Sequence, residues 1–182
     1  MVILGIDPGL NVTGYGAIEA SGHHVQFRAA GDIRPPNGKP LPQRLEFLYH
    51  ALTELIRREH PDAVVLEMIF THSRYVSTAA KMAHARGVAC LAAEQHGVPL
   101  VEHSPARIKK ALTGRGAASK DQVARMVAQW LGVHDVSWSF DATDALALAI
   151  AHAHMQNQPA MTQQHMRKVR NSELSMSLGW RR

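Results

Sequence analysis

Four carboxylates carry the chemistry that this sequence can do: Asp7, Glu67, Asp141 and Asp144. Asp7 closes the apolar run Val2 to Ile6 and lies inside Gly5-Ile6-Asp7-Pro8-Gly9. Pro8 has no N–H to give a sheet and biases Asp7 toward extended geometry, so a buried strand ends here with an acid at its C-terminal edge. Open α/β sheets bind their ligands outside that edge. Glu67 ends a second such run, Ala63 to Leu66. Asp141 and Asp144 are three apart at the start of a helical segment and share a face. The first turn of a helix favours an acid at Asp141 through the helix dipole. Asp144 has no such explanation: it stands among Ala142, Ala145, Leu146 and Leu148, where an unpaired carboxylate is costly. Brought together, the four repel one another, and no arginine among their immediate neighbours answers them. A hard divalent cation, Mg²⁺ or Mn²⁺, takes oxygen ligands and meets that need. Two ions about 4 Å apart would activate a water and stabilise the leaving oxygen of a phosphodiester.

The elements around these residues predict how they meet. Val12 to Ala20 and Val25 to Ile33 flank the turn signal Ser21-Gly22-His23-His24, giving a three-stranded antiparallel meander with the first strand. Leu41, Leu45, Leu48, Leu52, Leu55 and Ile56 recur at helical spacing until His60-Pro61. A helical crossover of that kind sets the strand ending at Glu67 parallel to the first, so Asp7 and Glu67 emerge at one sheet edge. Ser73 to Gln95 reads as an alanine-rich helix with a weak point at Gly87, and Val98 to Val101 as a short strand. Ser104 caps a helix through Arg107 and Lys110 with Pro105 at its first position. Thr113-Gly114-Arg115-Gly116 is a basic loop, Ser119 caps a helix containing Val123, Val127 and Leu131, and residues 141 to 154 form the last helix. Gly14 and Gly16 read as hairpin residues rather than as a phosphate loop.

The chain of 182 residues has 46% hydrophobic residues and a net charge of +5. It is most simply one domain, residues 1–156, with a polar, aperiodic tail at 157–182 that is expected to be disordered. From Gln156 onward five basic residues stand against Glu173 alone, so +4 of the net +5 belongs to the tail. Any DNA affinity of the body must come from local clusters, of which Arg107, Lys109, Lys110, Arg115 and Lys120 is the candidate. No apolar stretch approaches a membrane span, and a charge arrives at Asp7, too early for a signal-peptide core, so a cytoplasmic protein is expected. Cys90, the single cysteine, lies among alanines and reads as a buried, inert thiol. The twelve histidines are scattered without zinc-site spacing.

The ordered set Gly5-Ile6-Asp7-Pro8-Gly9, Thr13-Gly14-Tyr15-Gly16, Glu67 with Phe70, Ala85-Arg86-Gly87, and Asp141-Ala142-Thr143-Asp144-Ala145-Leu146-Ala147 resembles the RuvC family of bacterial Holliday-junction resolvases over residues 1 to 155. The resemblance implies a ribonuclease H-like α/β fold: a mixed five-stranded sheet with helices on both faces. It also implies a homodimeric crossover junction endodeoxyribonuclease that nicks two strands of like polarity at a four-way DNA junction and works with a branch-migration helicase. Carried over residue by residue, Asp7, Glu67, Asp141 and Asp144 are the metal ligands. Lys120 matches a basic position at the scissile phosphate, and Phe70 an aromatic that stacks on an unpaired base. The family's Lys-Asn pair after that aromatic is replaced here within Thr71-His72-Ser73-Arg74-Tyr75, where Arg74 restores the charge, and His84 stands where the family has Gln. Two other functions fit parts of the pattern: a junction-binding scaffold that does not cut, and a nuclease acting on RNA–DNA hybrids. The four retained acids argue against the scaffold, since they would hinder a pure DNA binder.

Overall fold

The computed structural model describes residues 1–68, 76–133 and 138–157, with the backbone alone for 76–79 and 81. The expected tail beyond 157 lies outside the described residues. Five strands form one mixed sheet: β1 (Val2–Asp7), β2 (Thr13–Ser21), β3 (His24–Ile33), β4 (Ala63–Glu67) and β5 (Leu100–His103), in the order β3-β2-β1-β4-β5. β1 pairs antiparallel with β2 and parallel with β4, and β4 pairs parallel with β5. The helices are α1 (Leu41–Glu59), α2 (Val76–Gln95), α3 (Pro105–Thr113), α4 (Lys120–Leu131) and α5 (Phe140–Asn157). Among the described residues no helix is long and apolar enough to cross a membrane.

Local chemistry sets the boundaries. α1 buries Leu48, Leu52, Leu55 and Ile56, and ends where His60 turns left-handed at φ 48° before Pro61. Ser104 accepts the N–H of Arg107 at the start of α3, with Pro105 in the first turn, and Gly114 terminates the helix in the left-handed region. Ser119 and Gln122 form a reciprocal capping box on α4. α2 runs straight through Gly87, so the expected weak point does not break it. Cys90 is partly rather than fully buried, against the core beneath α1 and α2.

Strand alternation then decides which acids meet. Leu4, Ile6, Val64 and Leu66 face α1 and α2, packing with Leu48, Leu52, Ala85 and Ala89. Ile3, Ile18 and Val65 face the opposite way and pack with α3, α4 and α5. Asp7 shares the parity of Ile3, and Glu67 that of Val65, so both carboxylates fall on the α5 face.

Gly14 and Gly16 are hairpin residues, in the arm of the hairpin and not at its turn. They lie inside β2, where Gly14 pairs with Asp7 and Gly16 with Gly5. A Cβ at Gly5 would stand 2.0 Å from the Ala145 carbonyl oxygen, and one at Gly14 would stand 2.1 Å from that of Asp141. At Gly16 it would meet the Leu146 side chain at 2.6 Å. The three glycines make a trough that only a chain without side chains can form, and α5 lies in it with its backbone against the sheet.

Candidate active site

Asp7 and Glu67 end neighbouring strands, and a cleft of about 330 Å³ opens beyond them toward α3, α4 and α5. Its lining includes Asp7, Glu67, Asp144, Lys109, Lys120 and Met82. Lys120 donates from Nζ to Asp144 Oδ2 at 3.2 Å, and 37% of the Asp144 side chain is exposed. Asp144 is therefore a cleft-wall acid with an ammonium partner, not the deeply enclosed group that its apolar neighbours in sequence suggest.

The electrostatics show one crowded acidic field. The Asp7 carboxyl is pushed up to about 7, first by burial and then by Asp144, Asp141 and Glu67, with Lys120 opposing. Glu67 is raised by burial and by Asp144, against Lys109 and Lys120. Asp141 is raised by burial, Asp32 and Asp144, against Arg34 and Lys120. The Lys120 ammonium is itself raised, chiefly by the charge of Asp144 and the hydrogen bond to it. The donor set is all oxygen, which fits a hard divalent cation. Among the described residues, no three acidic, histidine or cysteine side chains are drawn together closely enough to hold an ion as they stand. The acids share a cleft and a field, and Lys120 supplies the positive charge.

Several contacts hold these groups in place. Ser139 Oγ accepts the N–H of Ala142 at 3.0 Å and donates to Asp32 Oδ1 at 2.5 Å, while its carbonyl accepts from Thr143 Oγ1 at 2.8 Å. Ser139 thus caps α5 and ties the turn bearing Asp141 and Asp144 to the end of β3. Arg34 Nη2 donates to the other oxygen of Asp32 at 2.6 Å. Arg86 donates from Nη1 to the Glu67 carbonyl at 2.6 Å and pairs with Glu102, fixing the end of β4. Beyond Asp7, Thr13 Oγ1 accepts from Gly9 N and donates to Gly9 O, and Arg44 Nη2 donates to Leu10 O at 2.7 Å.

The structure brings together Asp7, Glu67, Asp144, Lys109 and Lys120. Asp141 adjoins the cleft on its β3 side without lining it. Arg107, Lys110 and Arg115 are exposed and lie outside the lining, so the basic run is not one continuous wall. Phe70 and Arg74 lie outside the described residues. Met82 of α2 also lines the cleft. The sequence reading missed Asp32, Arg34 and Ser139. A serine two residues before Asp141 is a capping signal, but nothing in sequence joins residue 139 to residue 32.

A mixed sheet in the order 3-2-1-4-5, with acids at the ends of its two central parallel strands and on the helix across them, defines the ribonuclease H-like class. A model described as "Crossover junction endodeoxyribonuclease RuvC" matches residues 3–152. The chain belongs to the RuvC family. It is 45% identical over 158 residues to the crossover junction endodeoxyribonuclease RuvC of Alkalilimnicola ehrlichii, covering 87% of this chain and 94% of that protein. It is 44% identical over 156 residues to that of Legionella pneumophila strain Lens, covering 86% and 88%. T. thermophilus RuvC, solved in complex with Holliday junction substrate, superposes with a TM-score of 0.81 at 31% identity, covering 86% of this chain and 95% of that one. The yeast mitochondrial Holliday junction resolvase Ydc2, at 14% identity and a TM-score of 0.64 over 86% and 79%, shares the fold.

Proposed function

We propose that this protein resolves Holliday junctions in recombination and DNA repair by metal-dependent hydrolysis of phosphodiesters, nicking two strands of like polarity symmetrically. The observation that carries this reading is the cleft in which Asp7, Glu67 and Asp144 face Lys109 and Lys120. Asp7, Glu67, Asp144 and the adjoining Asp141 would hold Mg²⁺ or Mn²⁺, two ions per site. Such ions supply a water nucleophile at neutral pH and charge stabilisation for the leaving oxygen. The chain's own residues do the positioning. β1 and β4 hold two acids at one edge, the glycine trough lowers α5 until its acids join them, and Ser139 keeps the first turn of α5 in register. Lys120, exchanging Asp144 for the scissile phosphate, offsets the charge that develops there. Lys109 faces the same strand, while Arg107, Lys110 and Arg115 add sequence-independent phosphate contacts outside the cleft. Phe70 stacks on a base freed at the crossover, and Arg74 contacts the backbone beside it.

Symmetric cutting needs two sites related by a two-fold axis, so the working form is a homodimer. α2 supports this: Ala80, Ala83, His84, Gly87 and Leu91 are exposed at helical spacing, leaving a face of mostly small residues for a second copy. Residues 1–156 are the nuclease domain, and the basic segment 157–182 adds electrostatic affinity for DNA. The enzyme acts on chromosomal junctions in the cytoplasm, in company with a branch-migration helicase.

The test is nicking of a synthetic four-way junction, a linear duplex and an RNA–DNA hybrid, with Mg²⁺, with Mn²⁺ and in chelator. Asp7→Asn, Glu67→Gln, Asp141→Asn and Asp144→Asn should each abolish most junction cutting and keep binding, or tighten it as a negative charge is lost. Substantial metal-dependent cutting by Asp7→Asn, or a preference for the hybrid, overturns the reading.

A further inference from the structure

Three consecutive side chains at the start of α5 have different fates. Trp138 stacks on Phe27 of β3, with ring centroids 5.1 Å apart and planes at 22°. Ser139 is tied to Asp32 at the end of the same strand. Both anchor the helix. Phe140 does not: it is 79% exposed, more than any other large hydrophobic residue among those described. A lone exposed phenylalanine is common on protein surfaces, but this one is not alone. It precedes Asp141 directly and lies one turn before Asp144, the i,i+4 spacing that puts two side chains on the same helix face. Arg34 stands nearby, 62% exposed, with Nη2 held by Asp32 and its charge felt at Asp141. A guanidinium has five N–H donors, so most of this one is left to meet solvent or a ligand.

Lys109 and Lys120 flank the carboxylates on the α3 and α4 side, and Arg34 flanks them on the β3 side. An exposed π-face and a guanidinium on one side of the carboxylates, joined through Ser139 and Asp32, suit one chemical unit, a nucleotide with its base stacked and its phosphate paired. We propose that Phe140 and Arg34 form a second strand contact on the β3 side of the active site. The ring takes the base of a nucleotide flanking the cut, and the guanidinium takes its phosphate. Ser139 and Asp32 tie this contact to the same turn that carries Asp141, so gripping the strand and placing the acids are one structural act. The inference rests on the resolvase reading.

The test uses the whole protein in EDTA with four-way junctions carrying 2-aminopurine at each nucleotide flanking the cut phosphate. The wild type should change the fluorescence of one of them. Phe140→Ala and Phe140→Leu should lose that signal and bind about fivefold or more weakly, the smaller end of what one stacked base contributes; Phe140→Trp should keep both. Between about 50 and 200 mM salt, Arg34→Gln should flatten the slope of log affinity against log salt by about 0.7–0.9, and Arg34→Lys should not. A leucine that preserves the signal, an alanine variant with wild-type affinity, or an unchanged slope for Arg34→Gln overturns the proposal. Asp144→Asn, assayed separately with Mg²⁺, separates the two readings: if it still cuts, the metal-site reading fails, whatever Phe140 does.

Discussion

Gly14→Ala places a single methyl where the structure has no room for it. The new Cβ would stand 2.1 Å from the Asp141 carbonyl oxygen, 2.2 Å from its carbonyl carbon and 2.8 Å from the Ala142 nitrogen. All three are backbone atoms, so no rotamer change relieves the clash. To restore ordinary contact at 3.4 Å, the first turn of α5 must retreat by about 1.3 Å, the difference between the two distances. Overpacking of this kind costs about 1–3 kcal/mol of stability. The effect on rate should be larger than that loss implies. Asp141 and Asp144 ride on the displaced turn while Asp7 and Glu67 stay on the sheet, and a misplacement near 1 Å costs roughly 10²-fold in rate. Single-turnover cutting of a four-way junction, measured beside thermal unfolding, tests this. Val127→Ala serves as the comparison: Val127 is 1% exposed in the core beneath α4, so the substitution removes roughly 2 kcal/mol of stability without moving the acids. The expected pattern is comparable loss of melting temperature in both variants and loss of rate in Gly14→Ala alone. Equal rates in the two variants, or a wild-type melting temperature for Gly14→Ala, would refute the claim that the glycine trough sets the height of the catalytic helix.

Asp7 predicts a pH dependence in chelator. Its pKa is raised in the fold from 3.8 to about 7, so ionising it opposes folding, and stability falls as pH rises through that window. Asp7→Asn should therefore melt higher than the wild type at pH 8 and no higher near pH 4, and added Mg²⁺ should raise the melting temperature of the wild type more than that of the variant. Lys120→Ala should slow single-turnover cutting by about 10²-fold, in the range of other lost transition-state donors, with a small change in junction affinity. Loss of binding in place of loss of rate would reassign Lys120 to docking. Leu91 is 51% exposed on the open face of α2, and Leu91→Glu should shift the protein to monomer in sedimentation equilibrium and reduce paired cutting of the two strands. A dimer unchanged by the variant would place the interface elsewhere.

Much of this protein is legible in one dimension because its determinants are local. Apolar runs that stop at Asp7 and Glu67 announce two strands ending in acids, and a helix between them requires those strands to run parallel. Pro105 after Ser104, and Ser119 three residues before Gln122, mark helix starts through hydrogen bonds that close within one turn. Other features depend on residues far apart in sequence. Gly14 and Gly16 read as hairpin residues from the local pattern, which gives no reason for glycine in the middle of a strand. Only the packed helix shows that their lack of a side chain serves a close approach to Asp141 and Leu146. Asp144 looks enclosed from its neighbours along the chain, yet helix geometry turns it from Ala145 and Leu146 into a cleft where Lys120, 24 residues earlier, donates to it. The tie between Ser139 and Asp32 spans 107 residues and has no sequence signature. The sequence by itself determined which acids the protein has and which strand ends and helix carry them, because strand and helix periods are properties of the local chain. The tertiary structure alone decided how high the helix sits, which cation each acid faces and which aromatic stays in solvent, because those depend on contacts that exist only once distant segments exclude water together.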